Sequence, residues 1–492
     1  MQVKRVEKKI SQILPGFVNE EDVTINGIQQ DSRLVQEGEL FLAVPGSETD
    51  GRHYIDAAVA SGAAAVLYES GWKENLVKRS VPMIEVEELT ARSGEIASRF
   101  FDDPSRKMDV IAVTGTNGKS SCSHFIATSL TVLGTKCGVI GTLGYGVPPD
   151  LTPFGLTTPD AIRMQQFLSE INLQQAEAVA IEASSHGLVQ GRLNGTDVKI
   201  AVLTNLTRDH LDYHGDLLQY KSSKRILFEM PSVESAVLNI DDPFGLELQK
   251  SLPEKINRIC YSLEDKGADV FCEDMSFHEK GMSSHVTTPW GSGWLESSLY
   301  GRFNLSNLLA VLCVLGTEGN TLEYILSTMS DIKNIRGRMD RIDHPDRATV
   351  VIDFAHTPDA LEQALLALRE HCTGELWCVF GCGGDRDRGK RPEMGGIAAR
   401  LSDHIVLTDD NPRREDSEGI MDEIMEGVAE PDKVHVDSDR SRAIEYAIHA
   451  ADVNDVVLIA GKGHEDYQEV AGVKRPFSDY EQVEIALGSQ RA

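Results

Sequence analysis

The sequence predicts three α/β domains, the central one built on a mostly parallel sheet. The chain has 492 residues, too many for a single core, because domains usually hold ~100–200 residues. From about residue 107 onward, apolar runs of strand length alternate with helical stretches, which is typical of a parallel sheet covered by helices on both faces. A break after Lys333 separates two such series. We therefore expect domains over residues 1–104, 105–335 and 336–492.

Residues 1–104 have the pattern of a small α/β domain. The segment 38–45 is predicted to be a strand, 54–62 a helix that ends at a glycine, and 63–68 a second strand. The polar segment 101–106 then resembles a linker. We expect a compact N-terminal unit here.

The two larger domains share an alternation of strands and helices. The central domain has predicted strands at 109–114, 136–140, 177–182, 199–204 and 235–240. The C-terminal domain has predicted strands at 348–353, 376–381, 404–408 and 456–460, each followed by a polar loop. Ligands of such sheets bind beyond the carboxyl ends of the strands, so we expect one binding rim in each domain and a Rossmann-like C-terminal fold.

Composition excludes several classes of protein. A net charge of −29 argues against nucleic-acid binding, which needs a basic face. No apolar run approaches the ~20 residues that span a membrane, and the first ten residues lack the apolar region of a signal peptide. The eight cysteines form no C-x-x-C pair, so no zinc motif is indicated. We expect a cytoplasmic protein with small-molecule partners and neither nucleic-acid nor membrane partners.

The segment Val110–Ser121 predicts nucleotide binding. An apolar strand runs into a turn that contains Gly115 and Gly118 and ends in Lys119-Ser120. Glycines let backbone N–H groups approach phosphate oxygens, the lysine reaches the β- and γ-phosphates, and the serine hydroxyl can bind Mg²⁺. The usual motif has glycine at the position of Val113. We interpret the segment as a shortened P-loop and the central domain as a P-loop-type, doubly wound fold.

Two further strand ends carry polar side chains that suit a metal. Glu182 ends an apolar run, and His210 lies in the polar segment 204–214 after the next predicted strand. Since these ends belong to the rim of the P-loop, Glu182 is placed to hold Mg²⁺. Of the lysines that follow, Lys221 is expected to be a plain surface residue, and Lys224 gains a role only from the resemblance described next.

The motifs together resemble one family across essentially the whole chain. They are Thr114–Ser120, Glu182–Leu188, Thr204–His214, Asn239–Asp242, Gly301–Asn307, Gly337–Met339, Asp353–Pro358 and Gly381–Asp387. Their order and spacing are similar to those of the Mur ligases, the ATP-dependent amino-acid ligases of peptidoglycan precursor synthesis. Within the family the chain resembles the ligases that extend UDP-N-acetylmuramoyl-L-alanyl-D-glutamate. Phe354 replaces a usual tyrosine and Ser120 a common threonine, and both keep the chemistry that is needed.

The resemblance implies a mechanism and a set of catalytic residues. The substrate carboxylate would attack the γ-phosphate of ATP, and an amine would then attack the acyl phosphate. Lys119, Glu182, His210 and Lys224 would be catalytic, with Ser120, Glu182, His210 and a carbamate on Lys224 holding Mg²⁺. The implied ATP-binding residues are Gly115, Thr116, Asn117, Gly118, Lys119, Ser120, Ser121, Asn304, Arg338, Asp353 and His356. The family also implies a monomer.

The resemblance also assigns the two other substrates. The UDP-sugar-peptide would contact Gln30, Ser32, Ser47, Glu48, Thr49, Thr157, Thr158, Ser184, Gln190 and Arg192, and would bind between the first two domains. The residues implied to bind the incoming amino acid are Arg386, Asp410, Asn411, Pro412, Arg413, Gly461 and Glu465.

Arg413 indicates which amino acid is added. Diaminopimelate carries one more carboxylate than lysine, and a guanidinium can bind a carboxylate with two parallel hydrogen bonds. The same guanidinium would repel the ε-ammonium of lysine. The family's diaminopimelate-adding members resemble this loop. Arg414 is expected to be a solvated cation. We therefore predict meso-diaminopimelate, with L-lysine as the alternative.

Three other functions remain open from the sequence. A folylpolyglutamate synthase shares the nucleotide domain and the acyl-phosphate chemistry but lacks a uridine-binding domain, so residues 1–104 count against it. A non-catalytic nucleotide-binding scaffold would not need Lys119, Glu182, His210 and Lys224 together. A ligase for another sugar-peptide in envelope recycling would differ only in its acceptor.

Overall fold

The computed structural model describes residues 6–16, 22–46, 49–72 and 80–488. The chain forms two compact units. The first comprises Met1–Val270 with Ala310–Asn320, and the second comprises Phe271–Leu309 with Thr321–Ala492. Within the described ranges, no helix is both long enough and apolar enough to cross a membrane.

The first unit begins with a small α/β region. Its strands are β1 (Lys8–Lys9), β2 (Thr24–Ile25), β3 (Ile28–Gln29), β4 (Leu40–Ala43), β5 (Ala65–Glu69) and β6 (Met83–Val86). Its helices are α1 (Ile10–Ile13), α2 (Ile55–Ala60) and α3 (Leu89–Phe100). Strands β3-β4-β5-β6 form a parallel sheet in that order. The strands and the helix predicted for this region are present, with slightly different bounds.

A larger sheet follows in the same unit. Its strands are β7 (Asp109–Thr114), β8 (Cys137–Gly141), β9 (Gly144–Val147), β10 (Asp150–Thr152), β11 (Ala178–Glu182), β12 (Ile200–Leu203), β13 (Ser235–Asn239) and β14 (Asn257–Ser262). The helices are α4 (Lys119–Val132), α5 (Ala161–Leu173), α6 (Ser185–Val189), α7 (Leu211–His214), α8 (Leu217–Phe228) and α9 (Pro243–Ser251). The order is β10-β9-β8-β11-β7-β12-β13-β14, with β9 and β10 antiparallel at one edge.

The register of this sheet brings polar strand ends to one rim. Strand β7 is parallel to both β11 and β12, so Val113 lies beside Glu182 and Thr114 beside Leu203. The residues of β11 are fully buried, as expected of a parallel strand covered on both faces. The predicted mostly parallel central sheet is confirmed, and its carboxyl ends form a single edge.

The second unit contains an antiparallel segment that the sequence analysis did not predict. Strands β15 (Val270–His278), β16 (Gly281–Thr288) and β17 (Gly291–Ser297) pair in succession. The helices α10 (Arg302–Thr317), of which the residues from Ala310 onward belong to the first unit, and α11 (Leu322–Ser330) follow. Buried and partly exposed residues alternate along much of β16, so this strand lacks the continuous apolar run by which the parallel strands were recognised.

The rest of the second unit is the predicted Rossmann-like region. Its strands are β18 (Asp340–Ile342), β19 (Thr349–Asp353), β20 (Leu376–Phe380), β21 (His404–Leu407), β22 (Val434–Val436), β23 (Val456–Ala460), β24 (Tyr467–Val470) and β25 (Val473–Pro476). Its helices are α12 (Pro358–His371), α13 (Lys390–Leu401), α14 (Ser417–Met425), α15 (Arg440–Ala450) and α16 (Asp479–Ala486). The sheet order is β18-β19-β23-β20-β21-β22.

Apolar cores lie on both faces of this sheet. One is built from α12, α13 and α14, and the other from α15 and α16. Strands β19, β23, β20, β21 and β22 are parallel, so the loops that follow them emerge at one edge. The predicted second rim is therefore present.

Candidate active site

The phosphate loop joins β7 to α4 in the first unit. A Cβ on Gly115 would collide with the hydroxyl of Thr204, and Gly118 has a positive φ of 84° at the N-terminus of α4. Val113 is fully buried within β7, which explains the missing glycine, because the strand continues through that position. The turn begins only after Thr114, so the short motif has the backbone freedom that it needs.

Two lysines meet at the backbone of this loop. Lys119 Nζ donates hydrogen bonds to the carbonyls of Gly115, at 2.8 Å, and Thr116, at 2.7 Å. Lys224 Nζ donates to the same Gly115 carbonyl at 2.8 Å and is only 1% exposed. It lies 4.3 Å from the ring centre of Tyr220. Burial, reinforced by the charge of Lys119, holds the pKa of Lys224 well below its usual value.

Ser120 and Glu182 form the candidate metal site. Ser120 Oγ donates to Glu182 Oε2 at 2.9 Å, and the backbone N–H of Thr142 donates to Glu182 Oε1 at 2.9 Å. Glu182 is fully buried. Mg²⁺ prefers oxygen ligands and usually binds one or two carboxylates together with substrate phosphates and water. A hydroxyl and a carboxylate oxygen within 3 Å at a phosphate loop fit that donor set.

His210 lies beside this group rather than in it. Its ring stacks edge-on against His186, with 5.0 Å between ring centres, and approaches Tyr220 at 6.3 Å. The side chain is 48% exposed, and the backbone has a positive φ of 52°. Within the described part of the chain, no hydrogen bond joins His210 to Ser120 or Glu182.

The residues suggested for the peptide part of the substrate form one network with Glu182. Thr158 Oγ1 donates to the backbone carbonyl of Glu182 at 2.7 Å and lies 2.9 Å from Ser184 Oγ. Arg192 donates to the carbonyl of Thr158 at 2.6 Å and to Gln190 Oε1 at 2.7 Å. Partial burial lowers the pKa of Arg192.

Thr157 joins this network through Thr142. The two hydroxyl oxygens are 3.1 Å apart, and Thr142 Oγ1 also donates to Glu182 Oε2. The structure thus brings Thr157, Thr158, Ser184, Gln190 and Arg192 together, although they come from separate stretches of sequence.

The residues suggested for the uridine end lie in the N-terminal region. Gln30 is partly buried, Ser32 is 9% exposed, and Thr49 is exposed. Between the first two, Asp31 is paired with Arg33 at 2.7 Å. Ser47 and Glu48 lie outside the described residues.

In the second unit, the nucleotide candidates Arg338, Asp353 and His356 lie near the ends of β18 and β19, and Asn304 lies in α10. Asp353 Oδ2 accepts a hydrogen bond from the N–H of Met339 at 2.7 Å, and the guanidinium of Arg338 lies 4.8 Å from the ring centre of Phe354. His356 Nδ1 bonds the carbonyl of Phe354 at 2.8 Å. The amide of Asn304 donates to the carbonyl of Tyr300 at 2.9 Å, so that part of its bonding capacity is already used within the protein.

Three of the amino-acid candidates, Asp410, Asn411 and Glu465, lie around a buried lysine that the sequence analysis had not singled out. Lys462, with 0% exposure, donates to Asn411 Oδ1 at 3.1 Å and to Glu465 Oε2 at 3.3 Å. Asn411 Nδ2 also donates to Glu465 Oε2 at 3.0 Å. Asp410 Oδ1 lies 3.7 Å from Lys462 Nζ, and Gly461 begins the loop with a φ of 117°.

Arg413 is held by the hairpin β24–β25. The backbone N–H of Arg413 donates to the backbone carbonyl of Glu469 at 2.9 Å, and the side-chain Nε lies 3.8 Å from Glu469 Oε2. Nη1 donates to the carbonyl of Gly384 at 2.7 Å. The backbone at Arg413 has a positive φ of 53°. Pro412 is buried, whereas Arg386 and Arg414 are exposed.

Two further buried cations support these loops. Arg391 donates to Glu415 at 3.0 Å and to the carbonyl of Gly383 at 3.2 Å. Arg440 is paired with Asp479 at 2.7 Å, and both side chains are fully buried. No motif had marked Arg391, Arg440, Lys462 or Glu469. The only signal for Lys462 was its place inside the polar loop 461–465.

Comparisons with known protein families give three matches along the chain. Residues 24–101 match the Mur ligase family catalytic domain, residues 113–315 the Mur ligase middle domain, and residues 337–463 the Mur ligase glutamate ligase domain. The three matches cover parts of all three regions in which candidate residues were found.

Curated relatives and a solved structure are similar over nearly the whole chain. A UDP-N-acetylmuramoyl-L-alanyl-D-glutamate--2,6-diaminopimelate ligase of Coxiella burnetii is 47% identical over 470 residues, covering 95% of this chain and 96% of the relative. The ligase of the same name from Pseudomonas aeruginosa is 48% identical, covering 96% of each. A solved structure of a ligase with this name has a TM-score of 0.75 at 38% identity, covering 98% of this chain and 99% of that one. With these similarities and the site described above, the chain belongs to the Mur ligase family.

Proposed function

We propose that the chain is an ATP-dependent ligase that adds meso-2,6-diaminopimelate to UDP-N-acetylmuramoyl-L-alanyl-D-glutamate in peptidoglycan precursor synthesis. The names of relatives that are 47% and 48% identical over almost the full length support both substrates. The presence of Arg413 in the loop that also holds Asn411 supports the choice of diaminopimelate over lysine, because its guanidinium suits the second carboxylate.

The position of Glu182 is the main structural support for this reaction. The carboxylate of Glu182 accepts a hydrogen bond from Ser120 of the phosphate loop. The backbone carbonyl of Glu182 accepts a hydrogen bond from Thr158. Thr158 in turn accepts a hydrogen bond from Arg192. A phosphate-binding element and a candidate site for an anionic substrate therefore share one buried residue. Transfer of a phosphoryl group to a carboxylate needs this proximity, since the two reacting groups must be held in line.

The reaction proceeds in two substitutions. The side-chain carboxylate of the substrate's D-glutamate attacks the γ-phosphorus of ATP, and ADP leaves. An amine of diaminopimelate then attacks the carbonyl carbon of the acyl phosphate, loses a proton and expels phosphate. Lys119 and the N–H groups of Gly115–Ser121 neutralise the transferred phosphoryl group. We assign Ser120, Glu182 and His210 to Mg²⁺, which would neutralise the phosphates further.

Lys224 is proposed to carry a carbamate. Carbon dioxide adds to an uncharged amine, and burial beside Lys119 is the environment that favours this form. The addition releases one proton and leaves an anion, which would attract the ammonium group of Lys119 at the same Gly115 carbonyl. It would also supply oxygen ligands for Mg²⁺.

The remaining assignments rest on the resemblance between the motifs of this chain and those of the Mur ligases. Residues 1–104 are proposed to bind the UDP-substrate, 105–335 ATP, and 336–492 the amino acid. Asn304 is assigned to adenine, and Arg338, Asp353 and His356 to ribose and phosphates. We propose a monomeric cytoplasmic enzyme, and light scattering coupled to gel filtration would test the monomer.

Phosphate release tests the function directly. The purified protein is supplied with ATP, Mg²⁺ and the UDP-muramoyl-dipeptide, and either meso-diaminopimelate or L-lysine. We expect release with diaminopimelate and far less with lysine. Equal rates with both amino acids, or no release with either, would contradict the proposal. Replacing the dipeptide substrate by a tripeptide version separates precursor synthesis from envelope recycling.

A further inference from the structure

Lys462 is buried in the loop that follows β23, in contact with two candidate ligands of the amino acid. Its Nζ donates to Asn411 and Glu465, which are also hydrogen-bonded to each other. These three side chains form a closed ring. Lys462 has 0% exposure, so its ammonium group faces other protein groups and not solvent. A buried cation without partners is strongly unfavourable, so Lys462 needs these polar contacts.

The ring fixes the orientation of both candidate ligands. Asn411 Oδ1 accepts hydrogen bonds from Lys462 and from the N–H of Glu469, at 2.9 Å. This determines which end of the amide is the acceptor, and the Nδ2 end is thereby directed at Glu465. Glu465 uses Oε2 for both Lys462 and Asn411. Its Oε1 has neither of these partners, and the side chain is 21% exposed.

The local charge also depends on Lys462. Asp410 and Glu465 are both within 4 Å of its Nζ. With the lysine present, the three side chains carry a net charge of −1, which complements one ammonium group. Without it, two carboxylates would share a largely buried space, where like charges repel strongly. The lysine therefore holds Glu465 in place before the amino acid arrives.

We propose that Lys462 is a positioning residue that holds Asn411 and Glu465 ready to receive an ammonium group of the incoming amino acid. The inference rests on the proposed function, because it presupposes that an amino acid binds at this loop. Lys462 acts through its two partners and does not touch the substrate itself. Its loss should weaken amino-acid binding much more than it affects the use of ATP or of the UDP-substrate.

Steady-state kinetics of Lys462→Met and Lys462→Gln test this. Methionine keeps the length of the side chain but removes its charge, and glutamine keeps one donor for Asn411. For Lys462→Met we expect the KM for diaminopimelate to rise at least about tenfold, with kcat and the other two KM values within about threefold. Lys462→Gln should fall between wild type and methionine. Hydroxylamine trapping of the acyl phosphate should match wild type in both variants, because that step precedes the amine.

A matched control and a double variant test whether the effect is specific to Lys462 and whether it acts through Glu465. Lys474 is exposed and stacks on Tyr467, the ring that also lies 5.5 Å from Lys462, so Lys474→Met should leave all constants unchanged. If Lys462 acts through Glu465, Lys462→Met combined with Glu465→Gln should be little worse than Glu465→Gln alone.

The possible outcomes separate this inference from the proposed function. If the wild-type enzyme does not use diaminopimelate, the proposed function is wrong. If it does, an unchanged KM for diaminopimelate in Lys462→Met overturns the positioning role, as does an equal loss across all three substrates. Should Lys462→Met fail to fold, Lys462→Gln decides by the same criteria. A fully additive double variant also contradicts it.

Discussion

The hydroxyl of Ser120 donates a 2.9 Å hydrogen bond to the carboxylate of Glu182, which joins the phosphate loop to the end of the neighbouring strand. Thr142 donates to the same carboxylate through its N–H and its hydroxyl. Protein donors therefore hold the carboxylate in position at the rim. A metal that binds there would meet a fixed oxygen and not a mobile side chain, which favours precise placement of the phosphates.

Glu182→Gln should abolish catalysis without unfolding the protein. The amide oxygen can still accept a hydrogen bond from the N–H of Thr142, and the amide NH2 can donate to the hydroxyls of Ser120 and Thr142. The side chain lacks the charge that attracts Mg²⁺. We expect phosphate release to fall at least about 100-fold while the melting temperature changes little. Glu177→Gln is the matched control, because Glu177 is exposed just before the opposite end of the same strand. Near-normal activity in Glu182→Gln would exclude this metal site.

Lys224→Ala should be almost inactive, and a small carboxylate should restore part of the activity. The cavity left by the side chain can admit formate or acetate, whose oxygens would replace those of the carbamate. The assay is phosphate release with increasing carboxylate concentration. Lys221→Ala, on the same helix and paired with Glu247, should behave as wild type with and without carboxylate. Full activity of Lys224→Ala would exclude the carbamate, and an inactive variant without rescue would count against it.

Arg413→Ala should impair the use of diaminopimelate. A charged hydrogen-bonded pair contributes about 1.5–3 kcal/mol, so we expect the KM for diaminopimelate to rise about 10- to 100-fold. Arg414→Ala provides the control, because Arg414 directly follows Arg413 and its side chain is exposed. The kinetic constants for both amino acids are compared in each variant. Unchanged use of diaminopimelate in Arg413→Ala would show that another group selects the substrate.

Asp479→Asn should destabilise the second unit. It removes the charge that pairs with the fully buried guanidinium of Arg440, and breaking a buried pair in this way typically costs about 3–5 kcal/mol. Urea unfolding followed by circular dichroism measures the change. Arg442→Ala, on the same helix as Arg440, removes a largely exposed guanidinium that is paired with Asp437 and Asp439 and should cost under about 1 kcal/mol. Similar losses in both variants would contradict the role of the buried pair.

His371 should make the second unit sensitive to acid. Its Nδ1 bonds the carbonyl of His278, while Nε2 accepts from the N–H of Gly301, so the ring is neutral. Burial lowers the pKa of His371, and the unfolded chain therefore binds the proton first. Stability should fall as the pH drops below about 6.5, the pKa of an unfolded histidine. Melting temperatures between pH 8 and pH 5.5 should fall less steeply in His371→Gln, and identical slopes would contradict this prediction.

The sequence predicted the parallel sheets and the phosphate loop well, because both leave local signals. Residues 109–114 form an apolar run that leads directly into glycines and a lysine, and the structure has β7 at those positions. The strand at 456–460 was likewise found as β23. In both cases burial on two faces requires a continuous apolar segment, which a single sequence displays.

The supporting residues could not be predicted because their roles depend on tertiary contacts. Arg440 lies 39 residues from its partner Asp479, and nothing near either position distinguishes them from surface charges. Lys462 and Asn411 are separated by 51 residues. The antiparallel strand β16 was missed for a different reason, since its alternating burial gives a weaker signal than a fully apolar run.

If the amino acid binds at Arg413 as proposed, the contact between Arg413 and Glu469 affects how it enters and leaves. The carboxylate of Glu469 already lies 3.8 Å from the guanidinium of Arg413. An incoming carboxylate would therefore either displace Glu469 or share the guanidinium with it. Such an exchange yields less free energy than capture by a bare cation, and it runs easily in reverse. Glu469, on the hairpin β24–β25, would then compete with the amino acid for Arg413. This competition would limit the affinity for the amino acid and speed release of the product.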